Sequence, residues 1–120
     1  MYSEYLGENY HDAIRKILFA DETICPDEMI DAPINIEAMK GMISFVIPRL
    51  GGKIDSEAKF ALLSKIARYY LAGILCLPIQ SRIKVPPFNI SKYTRKNWAK
   101  KQKKCIEKAN KDFVRLLQWD

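Results

Sequence analysis

The sequence has few of the residues from which enzyme and metal sites are built. Its 120 residues include one histidine and three cysteines. Cys25, Cys76 and Cys105 lie far apart and are odd in number, so they provide neither a complete disulfide framework nor a CxxC zinc half-site. The single histidine, His11, has no visible nucleophile to activate. These shortages argue against a disulfide-stabilised secreted scaffold, a zinc module and most hydrolases.

Phosphate-binding and acid–base motifs are also missing. The segment Gly51-Gly52-Lys53 lacks the GxxxxGK[ST] frame in which backbone amides wrap a phosphate. Glu107 and Asp112 are isolated on a basic segment. The acidic trio within residues 27–31 resembles turn and cap residues and matches no calcium-loop spacing. We therefore predict a protein that is not an enzyme and has no cofactor and no metal.

Targeting and membrane-spanning signals are absent from the sequence. The first residues lack the basic-then-apolar order of a signal peptide. The most apolar stretch, residues 69–79, is eleven residues long, whereas a bilayer requires about 20 apolar residues in a row. We predict that this stretch is a buried helix end, that the protein does not contact a membrane, and that its cysteines are free thiols in a reducing compartment.

The composition is that of one globular domain whose charge is segregated. Hydrophobic residues make up 48% and charged residues 28% of the chain, so residues 1–120 can form one core. The acidic N-terminal segment, residues 1–31, has eight acidic and two basic side chains, a net charge of −6. Residues 82–120 have twelve basic and three acidic side chains, a net charge of +9. The basic end is suited to nucleic acid or to the acidic end of a neighbouring copy.

The spacing of apolar residues predicts an all-α fold, a small bundle of three to four helices. Apolar residues recur at helical spacing in four segments: residues from about 3 or 9 to 20, 33–47, 58–77 and 91–119. Pro48 and Pro78 are expected to end the second and third helices. The third helix is apolar all round after Tyr69 and is predicted to be the core. Gly41 costs the second helix about 1 kcal/mol relative to alanine, which a close helix crossing or sequence drift would explain.

The last third of the chain combines a loop with a basic helix. Residues 79–91 contain Pro86-Pro87 and β-branched residues, which predict a structured loop or a short edge strand. Residues 92–119 are predicted to form a long basic C-terminal helix with a thin apolar or neutral stripe. Such a helix is expected either to project from the body or to be covered by another molecule. The predicted partner- or DNA-facing residues are Arg95, Lys96, Lys100, Lys101, Lys103 and Lys104.

Two aromatic residues stand among these basic residues. Nucleic-acid surfaces combine lysine or arginine with exposed aromatic rings, and Tyr93 and Trp98 could supply such rings. Packing accounts for both equally well, because Trp98 fits the apolar stripe and Tyr93 lies at the helix start. Nucleic-acid contact and packing inside the fold are therefore the two interpretations of Tyr93 and Trp98.

Residues 27–117 resemble the small helical head–tail connector proteins of tailed bacteriophages, also called adaptor or head-completion proteins. Three segments carry the resemblance: PDEMIDAPI at 26–34, ARYYLAGILC at 67–76 and the late helix at 106–117. The resemblance implies a virion protein, present in the host cytoplasm during assembly, that has no enzymatic activity. It also implies a ring of identical copies, commonly twelve, that lies between portal and tail-completion proteins and through which DNA passes.

Charge segregation agrees with such a ring, because head-to-tail contacts between copies require two unlike surfaces. The leading hypothesis is therefore a structural adaptor that contacts itself, portal and tail-completion proteins and, without sequence preference, passing DNA. The alternative is a small basic helical nucleic-acid-binding module that uses the six basic residues named above. A regulator that binds an acidic partner protein through the same residues is a third hypothesis.

Overall fold

The chain is all-helical. A computed structural model describes residues 3–51, 54–87 and 91–119. Within these ranges the chain forms seven α-helices and no strand. In chain order they are α1 (Ser3–Leu6), α2 (Tyr10–Leu18), α3 (Asp27–Ile30), α4 (Pro33–Leu50), α5 (Glu57–Arg82), α6 (Ser91–Thr94) and α7 (Trp98–Leu117). The predicted all-α class is confirmed, and two of the three acidic residues at 27–31 lie in the short helix α3.

The first predicted helix is interrupted between α1 and α2. Gly7 and Asn9 both have positive φ angles, of 77° and 57°, which a continuous helix does not allow. Arg68 of α5 holds this break in place. Its Nε donates to the carbonyl oxygen of Leu6 at 2.6 Å, and its guanidinium also donates to the carbonyl oxygen of Glu8 at 3.1 Å. The turn between α1 and α2 is therefore fixed by a contact to the core helix.

The expectation that Pro48 and Pro78 end their helices is wrong. Helix α4 continues through Pro48 to Leu50, and α5 continues through Pro78 to Arg82. Proline removes one backbone N–H and bends a helix, but the following turn can still pack. Leu50 and Ile79 lie beyond the prolines and are buried, so their packing favours the continued helices.

The loop predicted for residues 79–91 is consequently shorter than expected. It begins at Ile83, immediately after α5, and α6 begins at Ser91. Residues 88–90 of the predicted loop lie outside the described residues, as do Gly52 and Lys53 of the Gly51-Gly52-Lys53 segment.

Helix α5 is the core element, as predicted. It packs most extensively against α7 and also contacts α1, α2, α3 and α4. Its buried apolar side chains extend from Leu62 to Ile79, although Leu77 is 54% exposed and Tyr69 and Ile74 are only partly buried. By length and composition alone α5 could cross a membrane, yet 61% of its most apolar window is buried inside the protein. The core helix of a soluble protein meets the same criterion, so this property alone is weak evidence for a membrane span.

Helix α7 lies antiparallel along α5 and does not project from the body. Tyr70 donates its hydroxyl hydrogen to the side-chain carbonyl of Asn110 at 2.6 Å. Earlier in α7, Gln102 donates from Nε2 to the carbonyl oxygen of Gly73 at 3.0 Å. The thin apolar stripe of α7 is thus covered by α5 of the same chain, which corrects the expectation of a projecting or externally covered helix.

The predicted basic C-terminal helix, residues 92–119, is two helices. The chain turns between α6 and α7, and the side chain of Asn97 accepts a hydrogen bond from the backbone N–H of Lys100 at 3.0 Å. Asparagine is among the preferred N-caps, so α7 begins at Trp98. The indole of Trp98 donates to the carbonyl oxygen of Tyr93 at 2.9 Å and joins the two helices. The expected continuous helix is therefore interrupted, because Asn97 caps α7 and the buried Trp98 fixes the turn before it.

The close helix crossing occurs at Gly73 and not at Gly41. A Cβ atom on Gly73 would lie 2.8 Å from Cδ1 of Ile106, so the missing side chain lets α7 approach α5. A Cβ atom on Gly41 would meet nothing within 4 Å in the described part of the chain. No described residue therefore crosses α4 closely at Gly41.

We predict that Gly73→Leu destabilises the fold by about 1–3 kcal/mol, because a large side chain at this crossing separates α5 from α7. Gly41→Leu is the matched control: the same change at an open helical position should leave the monomer as stable or more stable by about 1 kcal/mol. Urea denaturation of dilute protein, followed by circular dichroism, measures both. Equal effects of the two substitutions would contradict the assigned crossing.

Candidate functional site

The six predicted basic residues do not form one uniform surface. Lys100, Lys103 and Lys104 are exposed on α7, and Arg95 is exposed in the turn before it. Lys101 is half-buried. Helical geometry separates the exposed lysines further, because Lys103 and Lys104 point about 100° apart around the helix axis.

Lys96 has a role inside the fold. Its ammonium group donates to the carbonyl oxygens of Leu18 and Phe19 at 3.0 and 3.1 Å, at the end of α2. These carbonyls lack helical partners and carry the negative end of the helix dipole, so a lysine there stabilises the helix end. Lys96 therefore joins the acidic N-terminal segment to the basic C-terminal segment within one molecule, and is less available to an outside partner than the sequence suggested.

Phe19 is the exposed aromatic residue of this region. It follows α2 in a left-handed conformation, with φ 52° and ψ 41°, and 73% of it is exposed. A left-handed conformation costs a residue with a side chain about 1–2 kcal/mol. The ammonium groups of Lys101 and Lys96 lie 4.9 and 5.2 Å from the ring centre. An open pocket, named here the Phe19 pocket, is lined by Phe19, Lys96, Asn97, Lys100, Lys101 and Lys104.

Tyr93 and Trp98, the two aromatic residues considered from the sequence, are buried core residues instead. Packing therefore accounts for both of them. Phe19 was missed because it is distant from the lysines in sequence and ends a helix of the acidic N-terminal segment. Its only sequence signal is a bulky aromatic residue directly after an amphipathic helical stripe, where a small or polar residue is more usual.

A second exposed surface lies on α4. One face of this helix is buried through Ile36, Met39, Ile43 and Val46, as predicted. The opposite side presents a second stripe, named here the α4 outer face, at successive spacings of four, three, four and three. Its members are Ile34, Ala38, Gly41, Phe45 and Pro48, and all are exposed. The sequence signal for it was this coiled-coil-like spacing.

The largest side chains of the α4 outer face are open to solvent. Ile34 is 80% and Phe45 is 59% exposed. The guanidinium of Arg49 lies over the Phe45 ring, 3.5 Å from its centre, and donates to the Phe45 carbonyl oxygen at 2.6 Å. Glu37, toward the other end of the helix, pairs with Lys40 at 3.6 Å. The face is thus an apolar stripe with a Glu37–Lys40 ion pair toward one end and Arg49 at the other.

The acidic residues around α3 form a polar network with α2. His11 Nε2 lies 2.9 and 3.0 Å from the two carboxylate oxygens of Asp31. The guanidinium of Arg15 forms an ion pair with Asp27 and donates from Nε to the carbonyl oxygen of Cys25 at 2.8 Å. The hydrogen bond from Arg15 lowers the pKa of Asp27 below its ordinary value, although burial opposes it. These side chains therefore hold α3 against α2.

Asp112 is a buried acidic residue that the sequence placed on an exposed basic helix. It is fully buried and lies 3.2 Å from Arg115, 3.3 Å from Lys108 and 4.0 Å from Lys65 of α5. A buried carboxylate is stable only when it is paired. Asp112 therefore neutralises part of the positive charge on α7 near its C-terminal end, and the unpaired lysines concentrate near its beginning.

The three cysteines are buried free thiols. Burial raises the pKa of Cys25 to about 11. A hydrogen bond between the Cys76 and Cys105 thiols raises the pKa of Cys76, and burial raises it further. The same bond lowers the pKa of Cys105; burial opposes this shift and Lys101 adds to it. Cys76 and Lys101 thus lower the pKa of Cys105, and the adjacent Lys103 and Lys104 do not contribute.

Among the residues that the structure describes, no group of three or more histidine, cysteine, aspartate or glutamate side chains could hold a metal ion. Comparisons with protein-family models, with curated proteins and with solved structures found no match. The Phe19 pocket and the α4 outer face are therefore the candidate functional surfaces of this chain.

We predict that Asp27→Asn lowers stability at neutral pH by about 1 kcal/mol or less, the range for exposed ion pairs. Because the folded pKa of Asp27 is depressed, its stabilisation is present above the unfolded pKa near 3.8 and is lost as pH falls through the folded value. Urea denaturation between pH 7 and pH 2 should show the two proteins converging at the acidic end. Glu28→Gln, which removes an exposed carboxylate of the same helix, is the control; a pH-independent difference for Asp27→Asn would contradict the ion-pair account.

We further predict that the three thiols do not react with Ellman's reagent at pH 8 while the protein is folded. The reason is that burial excludes the reagent and holds the thiols of Cys25 and Cys76 protonated. Unfolding in guanidinium should release three equivalents. Rapid labelling of any thiol in the native protein would show that its burial is wrong.

Proposed function

We propose that this chain is a non-enzymatic structural adaptor of a phage-type particle. In this proposal, identical subunits form a ring between portal and tail-completion proteins in the virion, after assembly in the host cytoplasm. The observation that carries the proposal is the α4 outer face, an exposed apolar stripe with the spacing of a helix-packing surface. The family resemblance of the sequence supplies the biological setting.

The exposed side chains of the α4 outer face favour a protein partner. Full burial of an isoleucine or phenylalanine side chain contributes about 1.5–3 kcal/mol, and most of that is unrealised while Ile34 and Phe45 remain exposed. Scattered surface hydrophobic residues need no explanation, but a contiguous stripe on one helix marks an interaction surface. The α4 outer face is such a stripe.

A neighbouring copy of the same chain is the proposed occupant. Gly41 lies at the middle of the stripe and has open space around its Cα atom, so another helix can approach there closely. The Glu37–Lys40 ion pair toward one end and the guanidinium of Arg49 at the other make the two ends unlike, which gives the surface a direction. Directional contacts between unlike surfaces are those that close a ring of identical copies.

The outward side of α7 is the proposed second working surface. Lys100, Lys103 and Lys104 are exposed there, and the acidic N-terminal segment keeps exposed carboxylates at Asp12, Asp21 and other positions. These unlike charges can meet between neighbouring copies or face portal and tail-completion proteins. Contact with passing DNA at this surface would be electrostatic and without sequence preference.

The proposal predicts that Gly41→Leu disrupts assembly without destabilising the subunit. Leucine restores helix propensity at an open position but occupies the space that a neighbouring helix needs. Phe45→Glu should also disrupt assembly, because it places a charge within the apolar stripe. Sedimentation velocity of wild type and variants measures the loss of the assembled species.

Leu77→Glu is the matched control, since Leu77 is 54% exposed but lies on α5, away from the α4 outer face. It should assemble like the wild type. Wild-type protein that sediments only as a monomer, or Gly41→Leu and Phe45→Glu variants that assemble normally, would contradict the proposal.

A further inference from the structure

The conformation of Phe19 is unusual in two respects. A left-handed residue after a helix is most often glycine, because glycine has no Cβ penalty there. Phe19 instead adopts φ 52°, and 73% of it remains exposed, so most of the ring gains no packing inside the chain. Backbone strain that packing does not explain is a reason to look for a function.

The positive charge around the ring is uncompensated. Lys100, Lys101 and Lys104 line the Phe19 pocket, and among the described residues no carboxylate lies within 4.0 Å of their ammonium groups. By contrast, Lys59 and Lys108 are paired with aspartates at 3.0 and 3.3 Å. The pocket thus combines an exposed aromatic face with ammonium groups that no local anion neutralises.

From this combination we infer that the Phe19 pocket binds single-stranded nucleic acid. One base stacks on the Phe19 ring, and the adjoining phosphates contact Lys100, Lys101 and Lys104. Stacking on aromatic side chains beside a basic groove is how single strands are bound without sequence preference. The exposed ring distinguishes this partner from duplex DNA, whose bases are already stacked, and from an acidic peptide, which requires only the lysines.

The surroundings of the ring also give the bound strand a direction. On its other side Phe19 borders a second open pocket, whose charged lining is balanced: Asp12 and Asp21 against Arg15 and Lys16. The excess of positive charge lies on the α7 side of the ring, so the backbone of the strand lies there. The site is therefore short, and its affinity for an isolated strand is modest. It is also separate from the α4 outer face, so this inference does not depend on ring assembly.

The test uses fluorescence anisotropy of a labelled oligothymidylate at low salt, with the full chain. Phe19→Gly should weaken binding by roughly 5- to 150-fold, the range for loss of one stacked base. Because glycine suits the left-handed position, the variant should unfold at the same temperature as the wild type or higher. Phe19→Tyr retains an aromatic face and should retain affinity.

Two lysine variants with the same charge change test the phosphate contacts. Lys104→Glu removes a lysine of the Phe19 pocket, whereas Lys103→Glu removes an adjacent exposed lysine that does not line it. Lys104→Glu should reduce the slope of log affinity against log salt by about 0.7, the value for one phosphate contact on a single strand. Lys103→Glu should change the slope little.

Several outcomes would overturn the inference. Three concern the ligand: equal affinity for a duplex of the same length, equally effective competition by oligoglutamate, and no binding of oligothymidylate at about 50 mM salt. Two concern the variants: unchanged binding by Phe19→Gly, and equal salt slopes for Lys104→Glu and Lys103→Glu. Preferential single-strand binding that requires an aromatic residue at position 19 would support it.

Discussion

The burial of the apolar part of α5 is the constraint on which the rest of the structure depends. A helix that is apolar over most of its circumference must be covered, and five other helices of the chain supply the cover. Close approach at Gly73 allows α7 to provide the largest part. Because α7 uses its apolar stripe for this contact, its lysines are directed away from α5. The basic surface is therefore a consequence of how the core is closed.

The same constraint explains how the acidic N-terminal segment is held. Arg68, Arg82 and Lys96 donate hydrogen bonds to backbone carbonyls of residues 6–23, so cations of later elements bind the early part of the chain. Basic side chains of later elements are thus bound to the acidic N-terminal segment through its backbone carbonyls. Contacts with other molecules can then be made by the carboxylates that remain exposed and by the lysines near the start of α7.

The features that follow from the spacing of apolar residues could be predicted from the sequence. The all-α class, the buried stripe of α4 and the core role of α5 were predictable because each depends on apolar spacing within one segment. The extension of helices past Pro48 and Pro78 was not, because it depends on tertiary burial of Leu50 and Ile79. The candidate surfaces were predicted only in part: the lysines were visible, but the positions of Phe19 and Asp112 depend on which segments meet in space.

In the proposed function, the two surfaces act by contact with other molecules. The α4 outer face is apolar and directional, as a contact between identical copies requires, and the α7 surface is charged, as a contact with another component or with nucleic acid requires. Assembly of identical copies is the central claim, and the mass of the native wild-type protein tests it most directly. The account predicts one dominant species whose mass is a whole-number multiple, greater than one, of the 13.9 kDa chain. A single 13.9 kDa species at every concentration up to the high micromolar range would contradict it.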